Sequence, residues 1–111
     1  MAETDHVLVD EDGTGIVTVT LNKPAKRNAV SFAMWRRLGA LFTGFRERAD
    51  VRAVILTGAD GHFSAGADIS EFPKMRATAE ASQEYSRAGN VATLAIRDLP
   101  QPVIAAAHGY T

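Results

Sequence analysis

Two stretches near the start of the chain have the pattern of short β-strands. From Ile16 to Leu21, valine and leucine alternate with threonine, which is the period of a strand with one buried face. A second strand is predicted over His6 to Asp10, and the intervening segment 11–15 contains two glycines that suit a tight turn. The pattern therefore predicts a β-hairpin.

Apolar residues at helical spacing follow Ser31, a residue type that commonly caps helix N-termini. Their steps of three and four predict an amphipathic helix from about Phe32 to Ala49. Gly39 and Gly44 weaken this helix by up to about 1 kcal/mol each, so burial of the apolar stripe must stabilise it. The stripe consists of Met34, Trp35, Leu38, Leu41, Phe42 and Phe45.

The rest of the chain alternates strand and helix patterns. Continuous apolar runs at Ala53 to Thr57 and Val103 to Ala107 are typical of parallel strands buried on both faces. Between them, Ala79 to Asp98 is predicted as a helix that Pro100 and Pro102 bring to an end. Its stripe is formed by Tyr85, Ala88, Ala92, Ala95 and Leu99. The alternation predicts an α/β fold.

Two loops connect these elements. Segment 22–29 (Asn-Lys-Pro-Ala-Lys-Arg-Asn-Ala) is predicted to be a solvated loop, because it is polar and contains Pro24. The glycine-rich segment 58–67 leads from a strand to Asp68 and Glu71, whose spacing is that of a capping box. A short helical turn is therefore expected to start at Asp68 and to stop near Pro73.

Composition and charge exclude several classes of protein. The 111 residues are 46% hydrophobic and 23% charged with net charge −1, which argues against disorder and against nucleic acid as a partner. Cysteine is absent from the sequence, which removes disulfides and thiol chemistry and is consistent with a reducing compartment. Segment 1–11 is acidic, unlike a signal peptide, and the chain contains no apolar run near the ~20 residues of a membrane span. A cytoplasmic protein that does not enter membranes is expected.

The candidate chemistry lies where a strand leads through glycines into a helix start. Glycines allow a ligand to approach the backbone, so main-chain N–H groups can face an anionic oxygen. Such donors could stabilise an oxyanion during a reaction or bind a phosphate, and many similar segments simply form turns. On the residues alone, these readings stay open.

Three stretches together resemble a known family. They are Leu21 to Ser31 (LNKPAKRNAVS), Ala53 to Ile69 (AVILTGADGHFSAGADI) and Gln101 to Tyr110 (QPVIAAAHGY). In this order they resemble the enoyl-CoA hydratase/isomerase, or crotonase, family over nearly the whole chain. The resemblance implies a crotonase-like ββα spiral, with residues 1–111 as the N-terminal part of a single domain.

The resemblance also implies roles for individual residues. The backbone N–H of Ala67 is expected to be one of two donors that hold the thioester oxygen of an acyl-CoA as it becomes an enolate. Around it, the residues expected to line the coenzyme A pocket are Ala65, Gly66, Asp68 and Ile69. At the pantetheine and nucleotide end, the residues expected to border coenzyme A are Lys26, Arg27 and Ala29. A guanidinium can pair bidentately with phosphate oxygens, which suits Arg27.

The most specific activity implied is addition of water to the 2,3 double bond of an enoyl-CoA in fatty-acid oxidation. Coenzyme A would enter as part of the substrate, no metal or redox cofactor is implied, and a homotrimer or dimer of trimers is expected. The family's second donor, in a Gly-Gly-Gly run, and its two catalytic glutamates are not matched within residues 1–111. We therefore expect the 111 residues alone to be inactive. His108 also replaces the asparagine that commonly precedes Gly-Tyr in this family.

Other functions remain open at this stage. The same scaffold hosts isomerases, hydrolases, dehalogenases and ring-forming synthases, which differ in acid and base residues. A catalytically inert fragment or coenzyme A-binding module is the alternative from outside the enzymes. An RNA-binding role finds no support in the balanced charge.

Several single residues are better explained by structure than by chemistry. The three histidines lack metal-binding spacing, so no metal site is predicted. Asp68 is favoured as a helix cap over a general base, and Ser64 as a turn residue over a nucleophile. Trp35 and Tyr85 lie on apolar helical stripes and are predicted to belong to the core.

Overall fold

A computed structural model describes residues 6–61, 63–64, 73 and 77–106, which form an α/β fold. Its elements in chain order are β1 (Val7–Glu11), β2 (Ile16–Leu21), a 3-10 turn (Pro24–Lys26), α1 (Phe32–Arg46), β3 (Ala53–Gly58), α2 (Ala79–Arg97) and β4 (Val103–Ala105). This confirms the predicted order of strands and helices. The helix predicted to reach Ala49 ends earlier, because Glu47 is its C-cap and donates its backbone N–H to Gly44 O.

The strands form one four-stranded sheet in the order β1-β2-β3-β4. The first two strands are antiparallel, with Val9 opposite Val19, which confirms the hairpin. Strand β3 pairs in parallel with β2, and β4 pairs in parallel with β3. Each parallel pair needs a crossover, and α1 and α2 are those crossovers.

The core lies between one face of the sheet and helix α1. The predicted stripe is buried at Met34, Leu38, Phe42 and Phe45, whereas Leu41 is only half-buried. Phe42 is fully buried and packs edge-on against Phe45, with 5.4 Å between ring centroids. On the sheet side, the buried core residues are Val7, Val17, Val19, Leu21 and Val54. This burial offsets the low helix propensity of the glycines in α1.

Gly39 is also a packing residue. A Cβ at this position would lie 3.2 Å from Val91 Cγ1 and 3.5 Å from the backbone N of Ala92 on α2. Ala92 is fully buried at the same crossing. The small residues therefore let the two helices approach closely, a role that the sequence pattern did not reveal.

The two apolar strands are less buried than predicted. In β3, Val54 is fully buried, but Ile55 and Leu56 are half-buried. In β4, Ile104 is 56% exposed. The prediction of burial on both faces is therefore wrong for the part of the chain that the structure describes, because the buried residues of the strands belong to one core cluster with residues of α1 and α2, and alternate strand residues lie outside it. Ala107, the last residue of the predicted strand, lies outside the described residues.

The end of α1 is held by side chains from distant segments. Gln101 Nε2 donates to Phe45 O at 2.8 Å and to Arg48 O at 3.2 Å. The Arg48 guanidinium contacts Glu11 at 2.8 Å and Asp50 at 2.6 Å, and this pairing lowers the pKa of both carboxyls. Because these ion pairs are exposed, they add little stability, so the half-buried Gln101 amide, with two backbone acceptors, is the firmer connection. Among the described helices, neither has the length and apolar character needed to cross a membrane.

The β1–β2 hairpin depends on Gly15 for two separate reasons. Its φ is +98°, and an added Cβ would lie 2.9 Å from Asp50 O and 2.8 Å from Arg52 Cγ. Gly13 in the same turn has φ +82° but has open space around it. We predict that Gly13→Ala costs roughly 1 kcal/mol from backbone strain alone. Gly15→Ala should cost about 1–3 kcal/mol more, because the backbone carbonyl cannot easily move.

Urea unfolding of the two variants and the wild type checks this difference. The free energy of unfolding should fall in the order wild type, Gly13→Ala, Gly15→Ala. Equal values for the two variants would contradict the close contact with Asp50.

Candidate functional site

The candidate site lies at the carboxyl ends of β2 and β3. Leu21 is paired with Gly58, the last residues of the two parallel strands. Ala59 N–H then donates to Leu21 O at 2.8 Å, so the loops after both strands leave from the same edge of the sheet. Ligands of α/β proteins bind beyond this edge of a parallel sheet. The fold thus brings the polar loop 22–29 next to the glycine-rich segment that follows β3.

The loop after β2 is closed by its own backbone hydrogen bonds. Lys26 N and Asn28 N both donate to Lys23 O at 2.9 Å, around the 3-10 turn that Pro24 begins. Arg27 and Asn28 then adopt the left-handed conformation, with φ of 53° and 57°. Left-handed backbone is uncommon for arginine and better tolerated by asparagine. Two consecutive residues of this kind reverse the chain sharply and direct it back toward the sheet.

Asn28 joins the two loops through its side chain. Its Oδ1 accepts a hydrogen bond from Lys23 N at 2.9 Å, and its Nδ2 donates to Ala59 O at 2.9 Å. Asn28 is 1% exposed, so its own end of each bond lies away from solvent. A buried amide whose two ends are satisfied by backbone is costly to disturb. The expectation that this loop is solvated throughout is therefore wrong at Asn28.

Ser64 adds a second connection between the loops. Its Oγ donates to the backbone carbonyl of Asn28 at 2.8 Å, and the residue is 6% exposed. The glycine-rich segment is thus attached to Asn28 at two places, Ala59 and Ser64. The sequence suggested only a turn residue at this position.

Helix α1 begins directly after the loop, as predicted from Ser31. Ser31 Oγ accepts a hydrogen bond from Met34 N at 3.2 Å, and Ser31 N donates to Met34 Sδ at 3.5 Å. Trp35 N donates to Ser31 O at 2.9 Å, the first backbone bond of the helix. Ala29 and Val30 are buried between the loop and this cap. The loop is consequently fixed at both of its ends.

The predicted site residues fall into two groups in the structure. Lys26 and Arg27 are exposed on the loop after β2, whereas Ala29 is 8% exposed and faces the core. The residues outside the described part of the chain are Ala65, Gly66, Ala67, Asp68 and Ile69, and with them Glu71. Their roles stay predictions. What the structure brings together is the cationic loop and Ser64, the residue immediately before Ala65.

Asn28 and Ser64 were missed as site-forming residues by sequence reasoning. One weak signal was present, because asparagine tolerates left-handed backbone and here directly precedes the apolar pair Ala29 and Val30. Nothing in the local sequence marks Ser64, whose partner lies 36 residues away.

A separate groove of about 300 Å³ lies between α1 and α2. The residues that line it include Phe32, Trp35, Arg36, Glu84, Arg87 and Val91. Phe32 stacks on Tyr85 with 6.1 Å between ring centroids, and the Arg36 guanidinium lies 5.7 Å from the Phe32 centroid. Trp35 packs against the core, as predicted, although it is only partly buried. These aromatic residues join the helices.

Within the described ranges, no group of three or more histidine, cysteine, aspartate and glutamate residues has a metal-binding arrangement. The polar groups of the site are instead backbone amides and carbonyls, two buried polar side chains, and the cations of the loop after β2. Exposed cations of this kind can pair with an anionic ligand.

Comparison with known proteins identifies the family. The family model described as enoyl-CoA hydratase/isomerase matches residues 11–111. The human mitochondrial Delta(3,5)-Delta(2,4)-dienoyl-CoA isomerase is 36% identical over 107 residues, covering 85% of this chain and 31% of that protein. The short-chain-enoyl-CoA hydratase of Clostridium acetobutylicum is 34% identical over 109 residues, covering 97% of this chain and 41% of that protein.

The solved structure of Pseudomonas aeruginosa AtuE superposes with a TM-score of 0.87 at 38% identity, covering 95% of this chain and 41% of AtuE. The crotonase-like fold expected from the sequence is thereby confirmed. The chain spans less than half the length of these relatives. The match over residues 11–111, the sequence identities and the superposition agree, and the chain belongs to the enoyl-CoA hydratase/isomerase family.

Proposed function

We propose that the complete gene product acts on acyl-CoA thioesters by stabilising an enolate in a backbone oxyanion hole. Its most specific form is hydration of the 2,3 double bond of an enoyl-CoA. The family supports the substrate class, because enzymes of both hydratase and isomerase type are among the relatives. The geometry supports the location, because the relevant loops meet at the carboxyl edge of parallel strands.

One observation carries the proposal. Asn28 connects the cationic loop to the glycine-rich segment through Ala59 O and Ser64 Oγ, at 2.9 and 2.8 Å. An acyl-CoA has an anionic nucleotide end and a reactive thioester, and an enzyme must hold both at a fixed separation. Two loops joined by these hydrogen bonds support that role.

In this proposal, the backbone N–H of Ala67 donates to the thioester oxygen. Removal of a proton from the carbon next to a thioester, or addition of water to C3 of a 2,3-enoyl thioester, places negative charge on that oxygen, and a fixed N–H donor stabilises the charge without reorganisation. The residues around the donor that contact the coenzyme are Ala65, Gly66, Asp68 and Ile69. No metal is required in this scheme, because the amide dipoles supply the electrostatic stabilisation. Coenzyme A takes part only as the carrier of the acyl group.

Lys26 and Arg27 supply the binding charge. Both are exposed and project from a loop with its own internal hydrogen bonds, and Lys23 adds a third cation to the same loop. Cations of this kind attract phosphates of coenzyme A in the substrate and in the transition state equally. They should therefore influence KM rather than kcat. Ala29, which is buried, would contribute through its backbone.

The catalytic unit in this proposal is the complete gene product. The second donor and the glutamates that the resemblance implies have no counterpart in residues 1–111. We treat this stretch as the N-terminal part of one domain, in a cytoplasmic homotrimer or dimer of trimers. Assays should accordingly use the complete gene product.

Isomerisation of a dienoyl-CoA is the second candidate. It is favoured by the 36% identity to the human dienoyl-CoA isomerase, similar to the identity with the short-chain hydratase. Both reactions pass through an enolate and would use the same Ala67 donor. Parallel assays with 2-butenoyl-CoA, followed by loss of the enone absorbance, and with a 3,5-dienoyl-CoA decide between the two. If the protein turns over neither thioester, the proposed function is contradicted.

We predict that Ala67→Pro lowers kcat by roughly 100-fold or more, because proline lacks the donor N–H. Ala79→Pro is the matched control. Ala79 is the first residue of α2, where proline is well tolerated, and Thr78 before it is already extended with φ −136°. Turnover with the enoyl-CoA and circular dichroism are measured for both variants. A folded Ala67→Pro protein with turnover equal to that of Ala79→Pro would rule out the donor.

We predict that Arg27→Gln raises KM about 3- to 10-fold with little change in kcat, because the loop loses one phosphate-pairing charge. Arg27→Lys keeps the charge and should raise KM less. The difference between the two variants should shrink at high salt, where the charge is screened. Equal KM values for the glutamine and lysine variants at low salt would show that the charge of Arg27 has no part in binding.

A further inference from the structure

We propose that Asn28 and Ser64 are positioning residues, which hold the glycine-rich segment 58–67 at a fixed place relative to the coenzyme-binding loop. This inference rests on the proposed function. It assigns to these two residues the alignment of the Ala67 donor with the bound thioester. The juxtaposition that carries it is the buried bond from Ser64 Oγ to Asn28 O, at 2.8 Å.

The position of Ser64 in the chain makes this bond relevant to Ala67. Only two residues separate Ser64 from Ala67, so an anchor at Ser64 limits the donor to within about 10 Å of a fixed point. The other attachment, from Asn28 Nδ2 to Ala59 O, holds the start of the same segment just after β3. Together they attach the segment at both ends of residues 59–64. An oxyanion donor needs such restraint, because a displacement of about 1 Å can cost two orders of magnitude in rate.

The bond between the loops is separate from the bonds that close the loop after β2. Lys26, Asn28 and Ala29 keep their own backbone bonds within residues 23–29 whatever happens at Ser64. Asn28 Oδ1 also continues to accept from Lys23 N. Removing the Ser64 hydroxyl should therefore leave the coenzyme-binding loop intact and release only the glycine-rich segment. Loss of a residue that only stabilises the fold would instead be expected to affect the coenzyme-binding loop and the glycine-rich segment together.

The two variants consequently differ in their expected kinetics. Ser64→Ala should lower kcat about 10- to 100-fold while KM stays within about twofold, because only transition-state stabilisation is lost. Asn28→Gly keeps the left-handed backbone accessible but removes both side-chain bonds. It should lower kcat to a similar degree and also raise KM several-fold. Because the hydroxyl and Asn28 act on the same segment, the double variant should lose less kcat than the product of the two single losses.

Thr78→Ala is the matched control. Thr78 Oγ1 accepts a hydrogen bond from Ala81 N at 3.0 Å at the start of α2, so this variant also loses one side-chain hydroxyl bond. It should leave kcat and KM unchanged. Urea unfolding of each variant shows whether it is folded under assay conditions. If Ser64→Ala is unfolded, Asn28→Gly tests the other attachment of the segment, because it removes the bond from Asn28 Nδ2 to Ala59 O and keeps the Asn28 carbonyl that accepts from Ser64.

A second measurement does not depend on turnover. Hydrogen–deuterium exchange of peptides spanning 58–69 should become at least several-fold faster in Ser64→Ala and remain at the wild-type rate in Thr78→Ala. Unchanged exchange and unchanged kcat in folded Ser64→Ala would overturn the positioning role. A wild-type protein without turnover on either thioester would instead overturn the proposed function, and exchange alone would then decide whether the bond restrains the segment.

Discussion

The parallel pairing of β2 with β3 is the constraint on which the rest of the structure depends. Its register places Leu21 opposite Gly58, so both strands end at one edge. From that edge one strand continues into the cationic loop and α1, and the other into the glycine-rich segment. A parallel pair forms only with a crossover between its strands, and the crossover here is the helix whose buried face makes the core. Packing of α1 thus determines where the candidate site is built.

The parts of the fold that the sequence predicted are those whose causes are local or periodic. Ser31 caps α1 because its side chain reaches a backbone N–H three residues ahead, and the alternation over Ile16 to Leu21 follows from a sheet with one covered face. Both signals lie within a few neighbouring residues. The same holds for the hairpin turn, where Asp12 Oδ1 accepts from Thr14 N at 2.8 Å.

The parts that could not be predicted depend on distant partners. The amide of Asn28 is buried because Ala59, 31 residues away, accepts its hydrogen bond. The role of Gly39 depends on Val91 and Ala92 on another helix. The predicted burial of β4 was too high for a related reason. An apolar run shows that both faces of a strand are able to be buried, but other elements of the fold determine which face is covered. The resemblance of three stretches to one family contributed the candidate site residues, whose roles stay predictions and which no pattern of burial would have indicated.

The hydrogen bonds that join the two loops at Asn28 also limit where the chain could accept insertions. Loops between secondary-structure elements usually accept insertions, because their tips face solvent and contact little. The tip of the β1–β2 hairpin at Gly13 is such a place, with open space around it. The connection between β2 and α1 should not accept an insertion, because one added residue before Asn28 would move its amide away from Ala59. Swapping this loop for one from a relative would therefore require exchanging the glycine-rich segment with it, as a single module.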